Sequence, residues 1–270
     1  MKLTLLTGSN RGIGLQLGKK IVLSQLTEKV WLTSRLSKKT ENFFIDDLGS
    51  GSSLYCEFKE LDLLRITSIE KLADEMKVKG HKISYLINNA GVNLFNEHKL
   101  SDYEKCKLTL GTNFDGTAHL TEILLRKELF HEGAVILNIA SILGETGLKD
   151  KELKERVMKS DTVSELLALS SEFIRKTAEG EQIYTKMAGF PEYRFSKLLL
   201  IKYTEILTRM MNIRNLKIDV YSYCPGWIRT DMGGPNAPKS AEKAAQEIID
   251  FLTLPLDRRA KSGSFIKRTS

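Results

Sequence analysis

The stretch TGSNRGIG, residues 7–14, decides the fold, because it joins a short apolar run to an amphipathic one. Residues 3–6 predict a strand, and residues 13–26 carry apolar side chains at helical spacing. Glycines in such a turn permit a tight bend and close approach of a ligand to the backbone, and the helix N terminus attracts negative charge. We therefore expect this turn to bind a dinucleotide pyrophosphate, although a plain strand-to-helix turn is the alternative. Its expected binding residues are Gly8, Ser9, Asn10, Arg11, Gly12, Ile13 and Gly14.

Strands and helices alternate along the rest of the chain. Further strands are predicted at residues 30–33, 53–61, 83–87, 134–139 and 218–224, and further helices at 66–78, 113–130 and 193–211. This alternation predicts an α/β fold, a doubly wound Rossmann-type parallel sheet with helices on both faces. Ligands of such sheets bind at the carboxyl ends of the strands. The polar motifs expected at those ends are the glycine turn, Arg35, Asp62, Asn89 to Gly91, Ser141 and residues 225–230.

Composition narrows the class of protein. The 270 residues suit one α/β domain spanning residues 1–270, and no repeat or low-complexity run divides them. The net charge of +7 is spread along the chain rather than gathered into a basic stripe, which argues against nucleic-acid binding and suits a ligand with several phosphates. The first apolar run is too short for a signal sequence or a membrane span. Widely spaced cysteines indicate reduced thiols, so we expect a cytoplasmic protein. The histidines lack metal-ligand spacing, so no metal site is expected.

Tyr193 and Lys197 lie four positions apart in the run EYRFSK, so a helix would bring them onto one face. Lowering the pKa of a tyrosine from about 10 to about 7 requires roughly 4 kcal/mol. A unit charge about 4 Å away supplies ~4 kcal/mol at an effective dielectric constant of about 20. The pair therefore predicts a tyrosine tuned as an acid, although the same spacing also fits a solvated ion-dipole pair.

Arg35 follows Ser34 at the end of the second predicted strand, where an acidic side chain would accept the 2′-hydroxyl of NAD. With Arg11 just before Gly12, two cations are available to flank a 2′-phosphate instead. A charged hydrogen bond worth about 1.5 to 3 kcal/mol favours the phosphorylated cofactor by roughly 10 to 150-fold. The sequence therefore predicts NADP(H), with exposed surface arginines as the alternative.

Taken together, these motifs resemble the short-chain dehydrogenase/reductase family. The shared set is TGSNRGIG, Asp62, the NNAG of residues 88–91, Asn113, Ser141, Tyr193 with Lys197, and Pro225-Gly226. The segment CPGWIRTDM, residues 224–232, and the long interval before the tyrosine are most similar to the monomeric NADPH-dependent carbonyl reductases. The resemblance implies the strand order 3-2-1-4-5-6-7 and reduction of aldehydes, ketones or quinones to alcohols. The alternative is a non-catalytic NADP(H)-binding redox sensor or scaffold, which would be expected to have lost Tyr193, Lys197 or Ser141.

The resemblance also implies roles. Tyr193 would donate a proton to the carbonyl oxygen, Lys197 would lower the pKa of the tyrosine and bind the nicotinamide ribose, and Ser141 would hold the substrate oxygen. Asn113, at a helix interruption, would anchor a water, with a helix N-cap as the alternative. The other implied cofactor-binding residues are Asp62, Leu63, Asn89, Ala90, Gly91, Pro225, Gly226, Trp227, Ile228 and Thr230. The implied substrate residues are Ser141, Ile142, Tyr193, Trp227 and Met232.

Several of these assignments have a structural alternative in the sequence itself. Asp62 also fits a helix cap, and Trp227 and Met232 also fit core packing. Cys224 lies near the motifs and is interpreted as a packed strand thiol.

A charged, helical insertion before the tyrosine is implied by the resemblance, because 52 positions separate Ser141 from Tyr193, whereas common members of the family place these residues close together. We place it at about residues 149–185. In the related carbonyl reductases such an insertion covers the helix face that other members use to dimerise, so the resemblance implies a monomer. The alternative is a flexible lid that leaves dimerisation intact.

Overall fold

The computed structural model describes residues 1–35, 41, 44, 55–148, 150–180 and 189–268. Its strands in chain order are β1 (Lys2–Thr7), β2 (Lys29–Ser34), β3 (Cys56–Glu60), β4 (Lys82–Asn88), β5 (Phe130–Ile139), β6 (Ile218–Cys224), β7 (Ile228–Arg229), β8 (Lys239–Ser240) and β9 (Phe265–Lys267). The large parallel sheet has the order β3-β2-β1-β4-β5-β6-β9. This confirms the predicted order, with β9 as the seventh strand, because β7 and β8 pair separately with each other.

Helices cover both faces of this sheet. They are α1 (Gly12–Ser24), α2 (Ile66–Val78), α3 (Asp102–Leu110), α4 (Gly116–Arg126), α5 (Ile142–Thr146), α6 (Lys151–Lys159), α7 (Val163–Ala178), α8 (Pro191–Ile213) and α9 (Ala241–Thr253), with a π-helix at Gly111–Asp115 and a 3₁₀ turn at Leu256–Arg258. Successive strand side chains point to opposite faces, so Leu5 packs into the core under α2, α4 and α8, whereas Leu6 packs into the core under α1 and α9.

Most predicted elements are observed within a few residues of their expected bounds, and two of them differ in ways that matter for the fold. The single helix expected at residues 113–130 is divided, because the π-helix precedes α4, α4 ends at Arg126, and Phe130 already begins β5. The strand expected at residues 53–61 is observed at Cys56–Glu60, and residues 53 and 54 lie outside the described residues.

Two helices lie within the predicted insertion. Both α6 and α7 fall between Ser141 and Tyr193, and α7 packs against α3 and α8. The rings of Phe173 on α7 and Phe195 on α8 stack with centroids 4.6 Å apart. Residues 149 and 181–185 of the expected range lie outside the described residues. This packing turns one face of α8 toward the insertion.

Candidate active site

The glycine turn after β1 is braced by the residues that follow β4. The side-chain amide of Asn89 donates to the carbonyl oxygens of Thr7 at 2.9 Å and Gly8 at 3.1 Å. In return, the Thr7 hydroxyl accepts the backbone N–H groups of Asn89 and Ala90, each at 3.0 Å. These bonds join the carboxyl ends of two neighbouring strands into one rigid edge.

The glycines in this turn are required by close contacts. Gly8 has φ +69°, and a Cβ placed on it would lie 2.7 Å from the Cα of Ala90. A Cβ on Gly14 would lie 2.0 Å from the carbonyl oxygen of Gly8. The N terminus of α1 has no capping side chain and no acidic residue in its first turn. Its amide groups are therefore oriented to receive an anion, and the turn fits a pyrophosphate.

Tyr193, Lys197 and Ser141 come together where β5 ends. Tyr193 and Lys197 share one face of α8, with the Lys197 Nζ 5.5 Å from the centroid of the Tyr193 ring. The Lys197 Nζ donates to the carbonyl oxygen of Ile139 at 2.7 Å. Ser141 is the N-cap of α5, and its hydroxyl accepts the Leu143 N–H at 3.2 Å. The Ser141 side chain is also hydrogen-bonded to Tyr193.

Burial shifts the two titratable groups of this cluster. It raises the pKa of Tyr193 to about 12, a rise that the hydrogen bond with Ser141 partly offsets. Burial lowers the pKa of Lys197 to about 8. The prediction that Lys197 brings the pKa of Tyr193 down to about 7 is therefore wrong for the geometry described. The reason is that the ammonium is directed at Ile139, while the loss of hydration raises the pKa of the phenol more than Ser141 lowers it.

Asn113 lies fully buried in the π-helix, so the helix interruption implied by the family resemblance is present. Its side-chain oxygen accepts the Val92 N–H at 2.8 Å, and its amide donates to the Val92 carbonyl at 2.9 Å and to the Ser196 hydroxyl at 3.0 Å. The N-cap alternative is wrong, because the residue that precedes α4 is Asp115. Asn113 thus ties the chain after β4 to α8.

Residues 225–233 reach from the end of β6 back to the glycine turn. Gly226 has φ +96°, and β7 follows it. A Cβ on Gly12 would lie 3.2 Å from the Cγ2 of Thr230, which places Thr230 against the start of α1.

Two large side chains of the same segment face solvent. Trp227 is 57% exposed and Met232 is 45% exposed, so the core-packing alternative for these two residues is wrong. The Trp227 Nε1 donates to the carbonyl oxygen of Gly233 at 2.8 Å, which fixes the indole on the rim of the segment.

Cys224 lies at the end of β6 and is buried. Its sulfur accepts the backbone N–H of Ile142 at 3.3 Å, so the thiol supports the turn that carries Ser141. This contact agrees with the interpretation of Cys224 as a packed thiol.

A cavity of about 430 Å³ lies beside the second and third strand ends. Arg35 contributes to its wall together with Leu64, Val92, Lys99 and Thr112. None of these last four residues was predicted from the sequence, although Leu64, Val92 and Thr112 directly adjoin predicted site residues. An apolar cavity with an arginine at its wall suits an adenosine with a phosphate.

Two predicted cofactor residues are engaged elsewhere in the structure. The Asp62 carboxylate accepts the Leu64 N–H at 3.1 Å and pairs with the Arg65 Nε at 3.2 Å. The helix-cap alternative for Asp62 is wrong, because the N-cap of α2 is Arg65 and no side chain caps this helix. Arg11 forms an exposed ion pair with Asp231 at 3.6 Å. Of the two predicted phosphate-binding cations, the structure therefore places Arg35 in the cavity wall.

Neither a metal site nor a membrane-spanning helix is found among the residues that the structure describes. Among the described residues, no cluster of three or more histidine, cysteine, aspartate or glutamate side chains is arranged to hold a metal ion. Within the same residues, no helix is both long and apolar enough to cross a membrane.

The fold and this arrangement of residues define a short-chain dehydrogenase. A family model described as short chain dehydrogenase matches residues 2–151, more than half of the chain, and the chain belongs to that family. The chain is 29% identical to Carbonyl reductase [NADPH] 1 of Oryctolagus cuniculus, in a match that covers 98% of this chain and 95% of that protein. The protein of the same name from Macaca fascicularis is 30% identical over 98% of this chain and 96% of its own length. Salutaridine reductase from Papaver somniferum shares the fold with a TM-score of 0.82 and 22% identity, covering 98% of this chain and 99% of that one.

Proposed function

We propose that this protein is an NADPH-dependent carbonyl reductase that converts aldehydes, ketones or quinones to alcohols. The observation that carries the proposal is the cluster of Tyr193, Ser141 and Lys197 at the end of β5, on the same sheet edge as the glycine turn. The two carbonyl reductases compared above bear the name of this activity and of this cofactor.

The proposed NADP(H) site uses the residues that line one edge of the sheet. Residues 8–14 would hold the pyrophosphate, Arg35 the 2′-phosphate, and the cavity beside Leu64 and Val92 the adenine. The segment 225–230 would close over the nicotinamide half, because Thr230 lies against Gly12. When bound, NADPH supplies a hydride to the carbonyl carbon.

Tyr193 and Ser141 are the proposed donors to the substrate oxygen. Negative charge develops on that oxygen during reduction, so two hydroxyl groups directed at it stabilise the transition state. Because burial raises the pKa of Tyr193 to about 12, the phenol holds the proton that it would transfer. The Lys197 ammonium, beside the tyrosine ring, adds positive charge to the same region.

The surrounding residues would position this cluster and shape the pocket. Asn113 holds Val92 and Ser196, so its direct contribution is to fix the chain beside Lys197, and the implied water site at Asn113 stays a prediction. Ile142, exposed Trp227 and exposed Met232 would line the substrate side of the cleft.

We further propose that residues 1–270 form a single domain acting as a cytoplasmic monomer. Packing of α7 on α3 and α8 supports this, because the chain itself covers the α8 face that the resemblance assigns to dimerisation. The buried, unpaired thiols of Cys56, Cys106 and Cys224 suit a reducing compartment.

The test is oxidation of NADPH, followed at about 340 nm, with a panel of quinones, aromatic aldehydes, dicarbonyls and ketosteroids. We expect turnover with at least one class, and we expect Tyr193→Phe to reduce that turnover by roughly 10² to 10⁴ while NADPH binding changes only a few-fold. Equal turnover by the variant would contradict the role of Tyr193. Tight NADPH binding without turnover on any class would favour the redox sensor instead.

A further inference from the structure

Lys239 is a buried lysine with two specific partners. The residue is 4% exposed, and its Nζ donates to the carbonyl oxygen of Pro225 at 2.9 Å. The same ammonium pairs with the Glu247 carboxylate of α9 at 2.8 Å. Burying an ammonium is costly unless its hydrogen bonds are made and its charge is paired, and both conditions are met here.

Lys239 also holds the segment after β6 from a second side. Its backbone pairs with Ile228 in the β7–β8 ladder, while its side chain holds Pro225. One residue therefore fixes both ends of the segment 225–228. Gly226 lies between them with φ +96°, and a Cβ placed on it would lie 3.4 Å from the Lys239 Nζ and 2.8 Å from the Arg268 carbonyl oxygen.

The segment held in this way continues to Thr230, which lies against Gly12 of the glycine turn. A change in the backbone conformation of residues 225–228 would therefore alter the contact between Thr230 and the start of α1. We propose that Lys239 and Glu247 are positioning residues that preform residues 225–230 for the dinucleotide. This inference rests on the proposed NADP(H) site. It assigns no contact between either side chain and the cofactor.

A purely structural role is the competing explanation, and the chain offers a matched control. Lys202 on α8 is 7% exposed and pairs with Glu205 of the same helix at 3.0 Å, whereas Lys239 bonds to Pro225 itself. Lys202→Met removes a buried, ion-paired lysine just as Lys239→Met does. The two variants differ in what the lysine holds.

The experiment compares NADPH dissociation constants, NADPH KM, kcat and thermal stability for the full-length wild type, Lys239→Met, Lys202→Met, Glu247→Gln and the double variant Lys239→Met/Glu247→Met. Loss of the bond to Pro225 is expected to raise the NADPH dissociation constant and KM by about tenfold, with kcat within about threefold. Lys202→Met should stay within about twofold in NADPH binding. The double variant should recover stability, because no unpaired carboxylate remains, yet keep the weakened binding.

The outcomes separate this inference from the proposed function. Wild-type protein that binds no NADPH would overturn the proposed function, and the inference with it. Normal wild-type binding together with normal binding by Lys239→Met would overturn the inference alone. If Lys239→Met does not fold, the NADPH dissociation constant of the double variant decides between the same two outcomes. Glu247→Gln, which keeps the bond to Pro225, should weaken binding less than Lys239→Met does.

Discussion

Lys197 should make the stability of the protein rise with pH above about 8. Burial lowers the pKa of Lys197 from 10.5 to about 8, and unfolding restores the ordinary value. Below the folded pKa both states bind the proton, so the native state bears the full cost of the buried ammonium. Between the two values the unfolded chain binds more protons, and the free energy of unfolding therefore increases with pH. Lys197→Met removes this dependence.

The difference between 10.5 and about 8 corresponds to about 3 kcal/mol over the whole window. From pH 7 to about pH 9.5, linkage predicts a gain of about 2 kcal/mol. Other groups act in the opposite sense. Burial raises the pKa of Cys56 to about 11 and that of Cys106 to about 12, so stability from these thiols is lost as pH rises past the unfolded value of 9.0. Only the difference between wild type and Lys197→Met isolates the lysine.

Urea unfolding of both proteins at constant ionic strength, at pH 7 and about pH 9.5, measures this difference. We expect the wild type to gain about 2 kcal/mol relative to Lys197→Met across that interval. Tyr193→Phe is the control, because the raised pKa of the tyrosine lies above this range and Lys197 is retained. Parallel pH profiles for wild type and Lys197→Met would show that the ammonium is not desolvated as described.

Three further outcomes are expected from the same site. The kcat/KM for carbonyl reduction should fall as pH rises through about 8, because the Lys197 ammonium is lost there. Tyr193 keeps its proton to about pH 12, so it does not contribute to this fall. A kcat/KM that is constant to pH 10 would contradict this prediction. Arg35→Asp should raise the KM for NADPH by roughly 10 to 150-fold more than that for NADH, as steady-state kinetics would show, and equal changes would place the phosphate elsewhere. Gly14→Ala should abolish NADPH binding, because the new Cβ would lie 2.0 Å from the Gly8 carbonyl oxygen. The control is Gly80→Ala, which has open space around it and should lower the free energy of unfolding by only about 1 to 2 kcal/mol, as thermal unfolding would measure. Normal NADPH titration of Gly14→Ala would refute the close packing of the turn.

A parallel sheet covered on both faces could be predicted because burial on both faces leaves continuous apolar runs in the sequence, whereas the order of its strands was implied by the family resemblance. Leu5 and Leu6 are adjacent in β1 yet belong to different cores, and only a strand covered on both sides needs both to be apolar. The glycine turn could also be predicted, because a Cβ on Gly8 or Gly14 would collide with neighbouring backbone and only glycine fits there.

Other features depend on contacts that spacing does not encode. The Lys197 Nζ donates a hydrogen bond to the carbonyl oxygen of Ile139, which is 58 residues away in the chain, rather than to the tyrosine hydroxyl. The direction of the Tyr193 pKa could not follow from the four-residue spacing, because it depends on how deeply α8 is buried. Lys239 carried no motif at all, and its role becomes visible only through the backbone oxygen of Pro225.

The electrostatics of Tyr193 and Lys197 also decide which protonation states the resting site holds at neutral pH. Burial favours the neutral form of each group, so the phenol keeps its proton up to about pH 12 and the amine loses its proton near pH 8. A base for alcohol oxidation would require the phenolate, which at pH 7 lies roughly 7 kcal/mol above the phenol. A proton donor for carbonyl reduction requires only the phenol, which is already the ground state. The same desolvation that contradicts the predicted acidic tyrosine therefore keeps the resting site in the protonated form that reduction uses, while the cofactor and the substrate set the equilibrium direction of the reaction.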